Sequence, residues 1–413
     1  MRLRSTLILL LLALIVGVAV YRLEEWVPTS AEVQAREWKP FTFTADQVDE
    51  ILIESDQQTI RLYVSELFWR IGDPVNDAAD PERVASLIKA ISDAEWLEKV
   101  NRSDLREEAW TRTGLADAMH HLTLKGAGVT LAECWVGTES VIEGACHLSV
   151  PSLKKGERSH YVVRTAVSSL LKAPPEQWRD MKLINMPLES ISTVSLQNGH
   201  GLIELKRHKP KAPWTLTKPL STRAHDERVN ALLATLMNLQ ITHAASGSVT
   251  AAVPAESLQI SLQTPSLSTP LEIVLQTPED TDRTSTAATA SHRKGAFTIT
   301  SERLPELWAR LNDLRDDHIA RVDPEQVAAL SIHSGLAGTA ALHRAGDYWV
   351  LHRHGAWVPA NGGRVLRLFE ALNEHRILEF ASDSAANLEL YGLHEPFVTL
   401  GWQELPAGIT GSA

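Results

Sequence analysis

At 413 residues the chain is too long for a single compact core, so two or three domains are expected. Hydrophobic content of 44% and charged content of 22% exclude a disordered polymer. A net charge of −11 excludes bulk attraction to nucleic acid or to an anionic bilayer surface.

Met1–Arg4 is short and basic, and Leu7–Tyr21 (LILLLLALIVGVAVY) is continuously apolar. With Leu3, Leu23 and Trp26 extending it at the interfaces, this run approaches the roughly 20 residues of a bilayer span. Residues 1–23 therefore read as an uncleaved signal-anchor. Arg2 and Arg4 hold its N-terminus in the cytoplasm and place the rest of the chain outside. A cleaved signal peptide ending at Gly17-Val18-Ala19 is the competing reading, but Val20-Tyr21 makes a poor mature start. Residues 24–40 are polar, contain Pro28 and read as a stalk.

A repeated unit then begins. Val48, Ile51 and Ile53 match Ile191, Val194 and Leu196, and again Val327, Leu330 and Ile332. Ile60 and Leu62 match Ile203 and Leu205, then Ala340 and Leu342. Trp69 and Ile71 match Trp214 and Leu216, then Trp349 and Leu351. Alternation at period two predicts strands with one buried face. The turn signals Asn198-Gly199-His200-Gly201 and Ala345-Gly346-Asp347 join them into three-stranded antiparallel meanders.

A helix follows each meander. Its apolar stripes are Val84, Leu87, Ile88 and Ile91; Val229, Leu232, Leu233 and Leu236; and Val365, Leu368, Phe369 and Leu372. Asp80-Pro81-Glu82 is a strong helix start, Asp226-Glu227 a similar one and Asn361 a weaker one. The stripe is expected to cover the sheet, with the three tryptophans filling the layer between. Leu233→Ala is expected to destabilise, and the polar-face Asn230 to tolerate alanine.

Further strands are expected at His121–Leu124, Leu131–Val136 and His160–Val163, and in the second copy at Leu258–Leu262, Leu271–Leu275 and Ala296–Ile299. Short helical stretches at Val167–Leu171 and Leu304–Leu311 close the copies, each followed by Arg179-Asp180 or Arg315-Asp316; Arg36-Glu37 precedes the first. Thr277–Gly295 has low complexity and reads as a mobile loop. The third copy carries Tyr391-Gly392-Leu393-His394-Glu395-Pro396 and one more strand, Phe397–Trp402. The expected fold is thus α+β: tandem units at 41–184, 185–318 and a partial 319–413, each an antiparallel meander covered by an amphipathic helix, after one N-terminal transmembrane helix.

In these features the chain resembles a bacterial family known as domain of unknown function 4340. The resemblance rests on the repeated strand and tryptophan unit, the Pro- and Asp-rich lead into the helix, the Tyr391-Gly392-Leu393…Pro396 motif and the single anchor. Gly114-Leu115 and Val253-Pro254 are weaker echoes of that motif. The resemblance implies a cell-envelope role beside ABC-type transporters of the gliding-motility kind. Its motifs are structural, and it carries no catalytic residues over.

The chain lacks the G-x-S-x-G, P-loop, G-x-G-x-x-G and H-E-x-x-H patterns. His352 and His354 share a strand face and His120-His121 are adjacent, as metal ligands are. However, His352 and His354 stand where the other copies have Gly72 and Pro74, or Thr217 and Pro219, and no third ligand is spaced to join them. Lys206, Arg207, Lys209 and Lys211 form a basic hairpin tip, read as a solvated loop. Cys134 and Cys146, the only cysteines, flank Gly137 and Gly144 and are a possible disulfide in an oxidising compartment. No catalytic residue, metal or cofactor is expected.

The expected function is a non-enzymatic docking or scaffold component of a bacterial envelope complex. It would be single-pass in the inner membrane, with its bulk in the periplasm. Its partners would be envelope proteins such as ABC-type transporter subunits, not nucleic acid. An envelope hydrolase, or a glycan- or lipid-binding module, is the alternative.

Overall fold

The computed structural model describes residues 41–55, 58–118, 120–152, 156–244, 257–276 and 284–405. The apolar run, the stalk, Arg36-Glu37, Val253-Pro254 and the last eight residues lie outside the described residues. Among the described residues no helix is long and apolar enough to cross a membrane.

The period-two segments form strands, and the strands pair antiparallel into three sheets, giving a sheet-rich α+β fold. In chain order, the first set is β1 (Glu50–Ser55), β2 (Thr59–Ser65), β3 (Phe68–Ile71), β4 (Asp77–Ala78), helix α1 (Pro81–Ser92), β5 (Glu95–Val100), β6 (His120–Gly126), β7 (Val129–Glu139), β8 (Ala145–Pro151) and β9 (Arg158–Arg164). They assemble in the order β4-β3-β2-β1-β6-β7-β8-β9-β5.

The second set is β10 (Thr193–Asn198), β11 (Gly201–Lys206), β12 (Thr215–Lys218), β13 (Thr222–Arg223), α2 (Asp226–Met237), β14 (Gln240–Ala244), β15 (Leu258–Gln263), β16 (Leu271–Leu275), β17 (Ser285–Ala290) and β18 (Phe297–Thr300). Its order, β13-β12-β11-β10-β15-β16-β17-β18-β14, repeats the first position for position. The third set is β19 (Val327–Ser334), β20 (Gly338–Ala345), β21 (Tyr348–Arg353), β22 (Ala356–Pro359), α3 (Gly362–Glu374) and β23 (Val398–Glu404). Among the described residues it has five strands, in the order β22-β21-β20-β19-β23.

By chain proximity the residues fall into two compact units. Among the described residues, one is drawn from those within 41–190, 236–244 and 263–304, the other from those within 191–235, 257–262 and 305–405.

The helices form and pack as their stripes dictate. The Asp80 carboxylate accepts from the Glu82 and Arg83 amides at 2.9 and 3.3 Å, and Pro81 occupies the first turn. Val84, Leu87, Ile88 and Ile91 are buried in one cluster with Ile51, Ile53, Leu62, Leu122 and Leu124. In α2, Val229, Leu232, Leu233 and Leu236 are all buried. In α3, Val365 and Phe369 are buried while Leu368 and Leu372 are only partly covered. Asn361 caps α3 through the Arg364 amide at 3.2 Å.

Three expectations change. Asp226 starts α2, but its carboxylate accepts the Trp214 amide at 2.6 Å and so ties the strand to the helix. Asn230 is not a bystander: its side-chain oxygen accepts the indole N–H of the buried Trp214 at 3.2 Å. The segment read as a mobile loop contains β17, paired with both β16 and β18. Residues 277–283 of that segment lie outside the described residues. β17 is built from Ser, Thr and Ala, so its composition hid it. Two apolar neighbouring strands give it the pairing that its own propensity does not. Strands β5, β8 and β14 were also not legible.

Candidate docking surface

The two Arg-Asp junctions are nodes of buried charge. In the first, Asp77 and Asp180 are buried, and Arg293, from the turn between β17 and β18, is buried with them. Its guanidinium donates to both Asp77 carboxylate oxygens, at 2.9 and 3.0 Å. It also donates to the backbone carbonyls of Lys182 and Asp180, at 2.6 and 2.8 Å. Arg179 adds a second cation at 3.2 Å from Asp77. Burial raises the Asp180 pKa, partly offset by the Lys182 amide, the Asn185 side chain and Arg293. His292 stacks on Phe68 with centroids 4.6 Å apart, and its carbonyl accepts from Arg70. Burial, then the charges of Arg293 and Arg70, push the His292 pKa down to about 4.

In the second node, Asp316, Asp317 and His318 present potential ligand atoms within 4.8 Å of one another. The cluster is already neutralised. Arg223 and Arg321 lie 3.2 and 3.0 Å from Asp316, and Arg228 and Arg376 each 2.7 Å from Asp317. Burial opposes ionisation of Asp316, but hydrogen bonds from His318 and Arg321 outweigh it and hold the pKa below the ordinary value. Four guanidiniums around two carboxylates repel a cation, so this is a structural ion network.

The sequence candidates are dispersed. His352 packs against Trp357, centroids 5.0 Å apart, and His354 sits at positive φ in the following turn. His121 lies between Glu54 and Glu133, at 2.7 and 2.9 Å, and stacks on Trp135. The basic tip is divided: Arg207 is buried over the Trp214 ring and donates to the Ile191 carbonyl, while Lys206 pairs with Glu204. Hydrogen bonds from Lys206 and then Thr217 pull the Glu204 pKa down to about 2.

Cys134 and Cys146 are buried free thiols on β7 and β8. Cys146 pairs with Glu139, whereas Cys134 lies one residue beyond the Trp135–Ser149 pair. The offset of about four residues at roughly 3.3 Å each exceeds the reach of a disulfide. Burial raises both thiols, Cys146 to about 11.

What stands open is the end of the third sheet. Register aligns the copies: Ile53 pairs with Leu122 and Ile51 with Leu124, as Ile332 pairs with Leu400 and Leu330 with Trp402. Leu122 and Leu124 are fully buried at 0%, but their counterparts differ: Leu400 is half-buried and Trp402 is 41% exposed. The Gly-Leu motif tells the same story. Gly114 and Gly392 both take positive φ, at 65° and 67°, at the end of a helical turn. Leu115 is then 3% exposed and Leu393 54%. Leu390, Tyr391 and Phe397 are exposed as well.

A sheet-rich α+β protein built from repeated meander-and-helix units is the class that these features define. The profile described as "Domain of unknown function (DUF4340)" matches residues 69–259 and again 214–396. The matches cover most of the chain, so the chain belongs to that family, and they start at Trp69 and Trp214, the same position of successive copies. No curated protein and no solved structure matches.

Proposed function

We propose that this protein is a membrane-anchored, extracytoplasmic docking component of a bacterial cell-envelope complex, held by residues 1–23 in the inner membrane with its bulk in the periplasm. Its repeat units are assigned to 41–184, 185–318 and 319–413. The observation that carries the docking reading is the open third sheet, where apolar positions that are sealed in the first copy face solvent. ABC-type transporter subunits are the partners the family resemblance favours.

The hydrolase reading has less support. The buried carboxylates Asp77 and Asp316 are held by guanidiniums, not arranged as an acid and a base around a cleft. The test is affinity capture from detergent-solubilised membranes at native expression, with chemical crosslinking beforehand. A reproducible, stoichiometric envelope partner is expected. Recovery of none would remove the reading. The topology has its own test: a reporter fused after Ala413 should be active outside the cytoplasm, and activity of a cytoplasm-only reporter reverses the orientation.

A further inference from the structure

We propose that the second charge node is an anion site, and that its ligand is a phosphate group carrying two negative charges, free or as the monoester end of a lipid. The site stands independently of the docking reading.

Four elements bring its cations together. Arg223 lies on β13, Arg228 on α2, Arg321 ahead of β19 and Arg376 just behind α3. A backbone bridge between His318 and Arg376 fixes the last of these beside the Asp316-Asp317-His318 segment. Asp317 offers one oxygen to Arg376 and the other to Arg228, each at 2.7 Å. Asp316 Oδ2 is shared by Arg223 and Arg321, at 3.2 and 3.0 Å. Arg321 and Arg376 also converge on one atom, Nδ1 of His318, at 3.1 and 2.9 Å. That nitrogen lies 2.6 Å from Asp316 as well. Whichever role it takes, one side of it is unmatched: as a donor it faces two cations, as an acceptor a carboxylate. An anion that accepts from the two guanidiniums removes the first mismatch. His225, 7% exposed, stands beside them with its Nε2 3.9 Å from Asp317 and its Nδ1 without a partner.

The charge does not balance. Among the described residues, four guanidiniums meet two carboxylates, a surplus of two positive charges on a chain of net charge −11. The first node shows a junction of the same kind that is sealed. There Arg293 is fully buried, and its Nε, Nη1 and Nη2 all donate to Asp77 or to backbone carbonyls. At the second node the four side chains are between 40 and 49% exposed. Nη1 of Arg223, Arg228 and Arg321 and Nη2 of Arg376 meet no acceptor among the described residues. Unbalanced like charge destabilises the fold that carries it, so stapling the junction accounts for two of these arginines and not for four.

The chemistry selects phosphate. All four cations are arginine, whose planar fork gives an oxyanion paired hydrogen bonds where lysine gives a point charge. A carboxylate brings one charge and two oxygens. A phosphate dianion matches the surplus and brings three acceptor oxygens to the four forks.

The experiment uses the full chain in detergent. Inorganic phosphate is titrated by calorimetry at fixed ionic strength and about pH 8, where it is a dianion, beside acetate and a short-chain phosphatidic acid. One saturable phosphate site is expected, about tenfold or more tighter than acetate. Arg228→Gln and Arg376→Gln are each expected to weaken it about tenfold or more, and Arg61→Gln on the first sheet to leave it unchanged. Phosphate-free urea midpoints check that each variant folds. If Arg376→Gln does not, Arg376→Lys takes its place: it keeps the charge, loses the fork and is expected to weaken binding about threefold or more.

Tighter binding of the short-chain phosphatidic acid than of phosphate assigns the ligand to a lipid headgroup, and equal binding to a soluble phosphate compound; both support the proposal. No saturable binding of either, acetate binding as tight as phosphate binding, or affinity unmoved by the arginine substitutions overturns it.

Discussion

Arg293 shows how little a residue's setting can be read from its neighbourhood in sequence. It lies in a stretch of Thr, Ser, Ala and Gly, yet its side chain is fully buried on a bidentate aspartate pair. Breaking such a pair from one side leaves a desolvated charge, at about 3–5 kcal/mol. Because Arg179 still reaches Asp77, Arg293→Met is expected near the lower end, about 3 kcal/mol, measured by chemical denaturation. Asp77→Asn together with Arg293→Met should recover part of that loss, since neither charge then remains; full additivity of the two losses would show that the groups act independently.

The neighbouring His292 makes stability depend on pH. Its pKa is depressed in the folded chain, so the unfolded chain binds the proton first. The contribution is complete above about pH 6.5 and is lost as pH falls toward 4, with a ceiling of roughly 3 kcal/mol. His292→Gln should flatten the melting temperature over that interval, and an unchanged slope would assign it to other groups such as His147 and His160, which burial also depresses. The thiols give a further check. Native Cys134 and Cys146 should resist alkylation, and both should react once the chain is unfolded without reductant.

Among the elements, α2 offers the sharpest comparison. Leu233 is fully buried, so Leu233→Ala is expected to cost about 2–5 kcal/mol. Asn230→Ala is now expected to cost about 1–3 kcal/mol, because it strands the indole N–H of a buried tryptophan. Trp214→Phe in the same background should abolish most of the Asn230 effect. Ala231, exposed and without such a bond, serves as the neutral control when changed to Gln. The stripe was legible because burial of one helix face imposes a 3.6-residue period. The bond to Asn230 was not, because a polar residue on an exposed face looks the same whether or not a ring reaches it. Strands that carry bulky apolar residues at alternate positions, such as β1, β6 and β15, could be read. β17 could not, because small residues are held there by the strands on either side.

Across the whole molecule, the repetition was visible in spacing alone, since three copies of one packing problem need the same side chains at the same intervals. The open end was not visible. Leu400 and Trp402 have the pattern of buried residues, and only the number of strands beside them shows that their cover is absent among the described residues. Deleting 398–404 should therefore remove partner capture while leaving the pH-dependent melting of the His292 region in place. Loss of both together would mean that the third sheet is needed for the first to fold.

The sheet margins also set an arithmetic of assembly. A subunit with two adhesive edges of matching kind polymerises, because each addition leaves another edge exposed. Here the outer margins of β4 and β13 are two residues long and that of β22 ends in proline, while β23 alone among these four is long and uncharged. Margins this short, or ended by proline, offer an added strand few backbone partners, so β4, β13 and β22 resist growth by strand addition.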